Sequence, residues 1–160
     1  MAPAQMRYQV FALAAGIVLA ACGTPSTPAV TYQSYTYSCC AEIAAGMLTW
    51  HPGQQVGLHW QPQAGPPTPD NSPNTLSLRV RITGPFKSVD ALKQAISQGQ
   101  NPPGVRTIDA KTLAVNDRTA NVPTSELDLP ADLAPGYYNL EPTVSSGGNS
   151  ESGSSIVTVQ

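Results

Sequence analysis

Along residues 32–160 the apolar side chains recur mainly at every second position, the period of a strand with one buried and one wet face. The cleanest run is Leu76, Leu78, Val80 and Ile82, with Ser77, Arg79, Arg81 and Thr83 on the opposite side. Val56, Leu58 and Trp60 repeat the pattern behind the turn residues His51-Pro52-Gly53-Gln54. With Leu48 and Trp50 ahead of that turn, the segment reads as a hairpin. Tyrosine alternates with small polar residues over 32–37, which suits a half-buried strand. Further strands are expected around 105–108, 112–115, 120–122, 126–129, 137–144 and 154–159, with a glycine- and serine-rich turn over 145–153. One segment switches to helical spacing. Val89, Leu92 and Ile96 follow Ser88, a residue able to cap a helix, and Gly99 with Pro102-Pro103-Gly104 ends it. The pattern predicts an all-β sandwich with one short inserted helix.

The N-terminus follows another rule. Residues 10–21 are rich in Ala, Leu, Val and Ile and carry no ionisable group, and Arg7 is the charge that precedes them. Charge followed by a short apolar run is the order of an export signal, and Met6 is a second candidate start for it. Such a signal helix is too short to span a bilayer, which takes roughly 20 apolar residues. The run closes on Leu19-Ala20-Ala21-Cys22, followed by Gly23. Small residues let the chain lie extended in a peptidase cleft, and these four resemble the lipobox of bacterial lipoproteins. The resemblance implies cleavage before Cys22, a thioether-linked lipid on its sulfur, and a mature protein held on the bacterial cell membrane or outer membrane, facing away from the cytoplasm. Two or three acyl chains make such an anchor stable where one would not. The expected division is a signal peptide over 1–21, the lipidated cysteine and a Pro/Thr tether over 22–31, and one domain over 32–160.

Composition narrows the partners. The mature part, about 139 residues, is long enough for a single domain with its own core. Without Arg7, seven basic residues face ten acidic ones, and no basic stripe marks the chain for nucleic acid or for anionic headgroups. Sixteen prolines and thirteen glycines fit short strands broken by turns better than a helical bundle.

The stretch Leu127-Asp128-Leu129-Pro130-Ala131-Asp132-Leu133-Ala134-Pro135-Gly136-Tyr137-Tyr138-Asn139-Leu140 resembles the corner between strands E and F of bacterial immunoglobulin-like and fibronectin type III-like domains. The resemblance implies an immunoglobulin-like sandwich in which Tyr138 is the corner tyrosine, its hydroxyl returning to a backbone group upstream. It also implies that Trp60 and Leu140 fill the places where antibody domains carry their core cysteines. The inter-sheet disulfide is then replaced by packing.

With Cys22 assigned to lipid, Cys39 and Cys40 remain, adjacent and in an oxidising compartment. Three readings stand open: a disulfide between neighbours, which is strained and reducible; two thiols or an intermolecular bridge; and a metal site. The last would gather Cys39, Cys40, Met47, His51 and His59, soft and borderline ligands suited to copper or zinc, although their spacing matches no standard cluster. His59 between Leu58 and Trp60 also reads as a surface histidine, and His51 as part of a turn. Asp109, Asp117, Glu126, Asp128 and Asp132 could meet around calcium but lack an EF-hand spacing. No Gly-x-Ser-x-Gly, His-Glu-x-x-His, phosphate-cradling glycine loop or Ser-x-x-Lys occurs in 22–160, so no catalytic residue and no cofactor is assigned and the chain is expected to have no enzymatic activity. The five prolines in 62–74 mark a long loop, a candidate contact site, and Tyr32, Tyr35 and Tyr37 could form an aromatic surface. The expected function is that of a cell-envelope lipoprotein binding or scaffolding another envelope protein or a glycan. The alternative is an envelope metal or redox protein using Cys39 and Cys40 with His51 and His59.

Overall fold

The computed structural model describes residues 29–46 and 48–160. The expected signal peptide, Cys22 and most of the expected tether lie outside the described residues, as does Met47. Among the described residues no helix is long and apolar enough to cross a membrane.

The chain is mostly β, as the alternation predicts. Strands β1 (Tyr35–Cys39), β3 (Gln55–Ala64) and β7 (Thr124–Asp128) form a three-stranded antiparallel sheet in the order β1-β3-β7. The larger sheet runs β2 (Thr49–Trp50), β10 (Ser155–Val159), β8 (Gly136–Ser146), β4 (Thr75–Phe86) and β5 (Arg106–Asp109). There β6 (Leu113–Asn116) adds to β4 and β9 (Asn149–Ser152) to β8. Both sheets point their alternate apolar side chains into one cluster that includes Leu58, Trp60, Leu78, Val80, Ile82, Leu127, Tyr138, Leu140 and Val157, all fully buried. The intervening polar residues stay outside, which is the period-two rule expressed in three dimensions.

Two groups pin this core from within. Trp60 donates its indole N–H to Ser125 Oγ at 2.9 Å, both side chains being sealed from solvent. Tyr138 donates its hydroxyl to the Ala134 carbonyl four residues upstream at 2.7 Å. Burial raises the pKa of the Tyr138 phenol, against a smaller opposing effect of the Arg106 charge. Tyr138→Phe, which removes only that hydrogen bond, will lower unfolding free energy by about 1 kcal/mol in urea titration. The ring also needs Gly84 beneath it, because a Cβ there would come within 2.4 Å of its carbons.

The helix α2 (Val89–Gln98) forms behind Ser88, whose Oγ accepts from the Ala91 N–H at 3.1 Å, and ends on Gly99 in the left-handed conformation. It buries Leu92 and Ala95, with Phe86, against the outer face of the larger sheet. Ile96, expected on the packed side, stays 47% exposed.

Four expectations are corrected. The segment around His51-Pro52-Gly53-Gln54 is no hairpin: β2 pairs in parallel with β10, and β3 pairs with β1 and β7 in the other sheet. The turn carries the chain from one sheet to the other. Residues 120–122 form no strand and Val122 is 54% exposed, although the Pro123 carbonyl still accepts from Trp60 N–H. The stretch 145–153 is more than a turn, since β9 folds back on β8 around Gly147 and Gly148, both with positive φ as a tight hairpin requires. The start of the first strand shifts to Tyr35, and Tyr32 makes only an isolated bridge to Thr68. A short helix α1 (Ala41–Ala44) that no periodicity announced follows β1.

Candidate functional site

The cysteines close β1. Cys39 pairs with Trp60 across the sheet, Cys40 follows it into the core edge, and the two sulfurs lie against one another. Beyond Cys39 strand β1 has ended, so the next β3 backbone N–H would face no carbonyl. Glu42, on α1, takes that place. Its Oε2 accepts the His59 backbone N–H at 3.1 Å, and its Oε1 pairs with His59 Nδ1. This clasp holds α1 on the outer face of β3.

Burial pushes the Glu42 carboxyl upward. The bonds it accepts from the His59 side chain and from the backbone N–H groups of Glu42 and His59 together outweigh that, and hold it below the ordinary carboxylate range. A carboxyl lowered in the fold contributes stability above its unfolded-chain value and loses it as the pH falls through the folded one. The clasp will therefore open in acid, below about pH 4, seen as faster amide exchange at 41–44 and 59. Glu42→Gln will abolish that pH dependence.

On the other side of the cysteine pair lies an open cleft of about 280 Å³ between the edges of the two sheets. Tyr37, Cys39 and Trp60 line it from the smaller sheet, and Val144, Glu151 and Gly153 from the β8–β9 hairpin. Tyr37 is buried and donates its hydroxyl to the Thr119 carbonyl at 2.9 Å, and burial raises the pKa of its phenol against a backbone bond at Asn121. It serves the core, so the aromatic surface expected of Tyr32, Tyr35 and Tyr37 is not formed by all three. Cys39, two aromatic rings and the Glu151 carboxylate around an open cleft suit contact with a small ligand or a protein segment.

The described candidate metal ligands, Cys39, Cys40, His51 and His59, are not brought together as one site. His51 Nδ1 contacts the Gln160 carbonyl at 3.0 Å at the sheet-crossing turn, while His59 is engaged by Glu42. Among the described residues no group of three or more His, Cys, Asp or Glu is placed to hold an ion. The carboxylates considered for calcium have scattered partners: Asp109 takes Arg81, Asp132 takes Arg106, Asp128 takes Gln55, and Asp117 takes the backbone and side-chain N–H groups of Asn74.

The proline-rich loop is shorter than its composition suggested and is tied down. Its first residues extend β3, and 65–74 is held by Arg118, whose guanidinium donates to the carbonyls of Gln33, Asp70 and Ser72 at 3.3, 2.7 and 3.2 Å. Three groups that position this region carried no strong mark in the sequence: Glu42, Ser125 and the Asp117-Arg118 pair. For the last, the available signal was turn chemistry, since Asn116 Oδ1 accepts the Arg118 N–H two residues on.

No protein-family model matches the chain, and no curated protein matches it. Among solved structures, the sporulation control protein Spo0M from Bacillus subtilis aligns with a TM-score of 0.40 and 9% identity, over 82% of this chain and 50% of that one. A family 123 glycoside hydrolase from Clostridium perfringens, whose structure details glycolipid glycan hydrolysis, aligns with a TM-score of 0.39 and 10% identity, over 79% of this chain and 27% of that one. The chain thus spans half of the first protein and about a quarter of the second. The expectation that it has no enzymatic activity is corrected here: a hydrolase stands among these neighbours, so inactivity does not follow from the fold. The likeness assigns no activity in its place.

Proposed function

We infer that this protein is a bacterial cell-envelope lipoprotein whose single domain, immunoglobulin-like in topology, binds or scaffolds another envelope component. The observation that carries the reading is Leu19-Ala20-Ala21-Cys22 at the end of a short apolar run. Residue 29, the first described, follows Cys22 by only seven positions, so an acylated cysteine would hold the domain close to the membrane. The immunoglobulin-like reading is supported by the strand order. The set β1-β3-β7 corresponds to strands A, B and E, and β10-β8-β4 to strands G, F and C. The Tyr138 bond to Ala134 supports it further, as does the burial of Trp60 and Leu140 in one core.

The test is the intact mass of the protein extracted from its own membranes, with free thiols alkylated before reduction. The expected species begins at Cys22 and carries acyl chains; Cys22→Ser will leave the chain uncleaved and unacylated. An unmodified cysteine at 22 in the native protein would overturn the anchor. A second reading, redox chemistry at Cys39 and Cys40, draws support from the place of Cys39 in the lining of an open cleft. The same spectrum addresses it, because two added alkyl groups report thiols and none reports a disulfide.

A further inference from the structure

On the outer face of the larger sheet, polar side chains from β5, β4 and β8 stand in two rows. Thr107, Thr83 and Asn139 are directly opposed in one, and Asp109, Arg81 and Glu141 in the other. Strands lie about 4.8 Å apart and alternate residues about 7 Å along a strand, so the six groups form a grid on the scale of one or two sugar rings. The helix α2 crosses this face on the Phe86, Leu92 and Ala95 cluster. Between its C-terminal half and the grid it leaves a cleft of about 280 Å³, with exposed Ile96 on the helix wall.

One member of the grid is incompletely satisfied. Asn139 is only 8% exposed and lines the cleft. Its side-chain oxygen accepts the Ser154 hydroxyl at 2.6 Å, while its amide nitrogen makes no hydrogen bond among the described residues. That nitrogen keeps a solvent-facing surface in the cleft, since Arg118 Nε alone is a buried side-chain polar atom without a partner among the described residues. The cleft is where an acceptor can enter.

Charge selects the ligand. Arg81 gives its Nε–H to Asp109 Oδ1 at 3.0 Å. The Glu141 carboxylate lines the cleft, and Asp109, outside the lining, already pairs with the one guanidinium there, which disfavours an anion. What remains on offer is the cleft-facing N–H₂ donor of Asn139, the other N–H groups of Arg81, the Glu141 carboxylate as acceptor, two threonine hydroxyls, and an apolar wall. A ligand whose hydroxyls donate and accept together, and whose C–H face can lie on Ile96, uses all of them. We propose that this cleft, between α2 and the outer face of β5, β4 and β8, is a binding site for a neutral saccharide. The assignment deepens the reading of an envelope binding domain, on which the choice of a glycan as natural partner rests, but the site itself does not need the anchor.

The test titrates the full chain, in a detergent without a sugar headgroup, with N-acetylglucosamine trisaccharide and with maltotriose as neutral probes and with phosphate as the anionic one. Amide chemical shifts are followed throughout. The expected result is saturation by a neutral trisaccharide with shifts confined to α2, β4, β5 and β8. Asn139→Asp keeps the acceptor for Ser154 but replaces the free donor with a charge, and will weaken binding at least roughly tenfold. Ile96→Arg, at an exposed helix position, will fill the cleft and do the same without lowering the melting temperature. No saturation by either trisaccharide at about 10 mM, saturation untouched by both variants, or phosphate as the better ligand would each overturn the proposal. A chain acylated at Cys22 that binds neither sugar removes the saccharide site and leaves the anchored domain standing. An unacylated chain that binds removes the anchor alone.

Discussion

Trp60→Ala will destabilise the domain by about 3–5 kcal/mol, the usual cost of truncating a buried aromatic side chain to alanine. Domains are stable by only about 5–15 kcal/mol in total, so the variant will lose a large share of its stability. Two losses add at this position. The indole is fully buried between the sheets, where the surrounding strands, fixed by their own ladders, cannot collapse into the space. Its N–H is also the partner of the buried Ser125 hydroxyl. Trp60→Phe separates the terms, since it keeps most of the ring volume and loses the hydrogen bond, and it will cost about 1–3 kcal/mol. Removing both partners at once in Trp60→Phe with Ser125→Ala will recover part of that cost. Urea unfolding of the three variants measures it, and additive losses in the double variant would show that the indole–hydroxyl bond contributes nothing.

The second large effect is expected at Arg118. Its Nε stands 3.8 Å from Asp117 Oδ1, too far for a hydrogen bond but close enough for an ion pair. The two side chains are only 15% and 8% exposed. Truncating one partner of a mostly buried pair typically costs 3–5 kcal/mol because the other charge is left behind. Asp117 retains two bonds from Asn74, which places Arg118→Ala near the lower end, at about 3 kcal/mol. The variant also frees three carbonyls, on Gln33, Asp70 and Ser72. Residues 65–74 will therefore be cut sooner in limited proteolysis than in the native chain. Arg118→Lys keeps the charge but cannot reach three carbonyls from one planar fork, so it will retain more global stability than alanine and protect the loop little better. A loop as resistant in Arg118→Ala as in the native protein would mean that its prolines, and not the guanidinium, hold it.

Much of the fold was legible because burial of one strand face is written locally. Leu76, Leu78, Val80 and Ile82 are spaced so that only an extended chain puts them on one side, and all four are buried. Ser88 announced α2 because its hydroxyl satisfies an N–H three residues away, an interaction that needs no knowledge of the rest of the chain. Tyr138 was legible for the same reason, its partner lying four residues upstream. Ile96 was misplaced because the helix packs on a sheet at one end and overhangs it at the other. Periodicity can mark an apolar face but not how far its support extends.

The candidate sites were legible in their parts and not in their assembly. Cys39, Cys40 and His59 stood out as chemistry, yet nothing local linked Glu42 to His59, because that clasp exists only where β1 stops one residue short of satisfying β3. Asn139 looked like any polar residue between Tyr138 and Leu140. Its half-satisfied amide arises from Ser154 on one side and the space under α2 on the other.

By itself the amino-acid sequence determined the β-rich character of the chain, the membership of most of its core, the capped helix and the bond of Tyr138 to an upstream backbone group, together with the lipobox-like motif from which the anchor is proposed. Only the tertiary structure decided which strands meet. It sent β2 to lie parallel to β10, more than a hundred residues away in sequence, while β3 joined β1 and β7. The reason is that strand pairing is made by backbone groups that every residue other than proline carries alike. A side-chain pattern specifies which face is buried, and the competition of all strands for those backbone partners settles who lies beside whom.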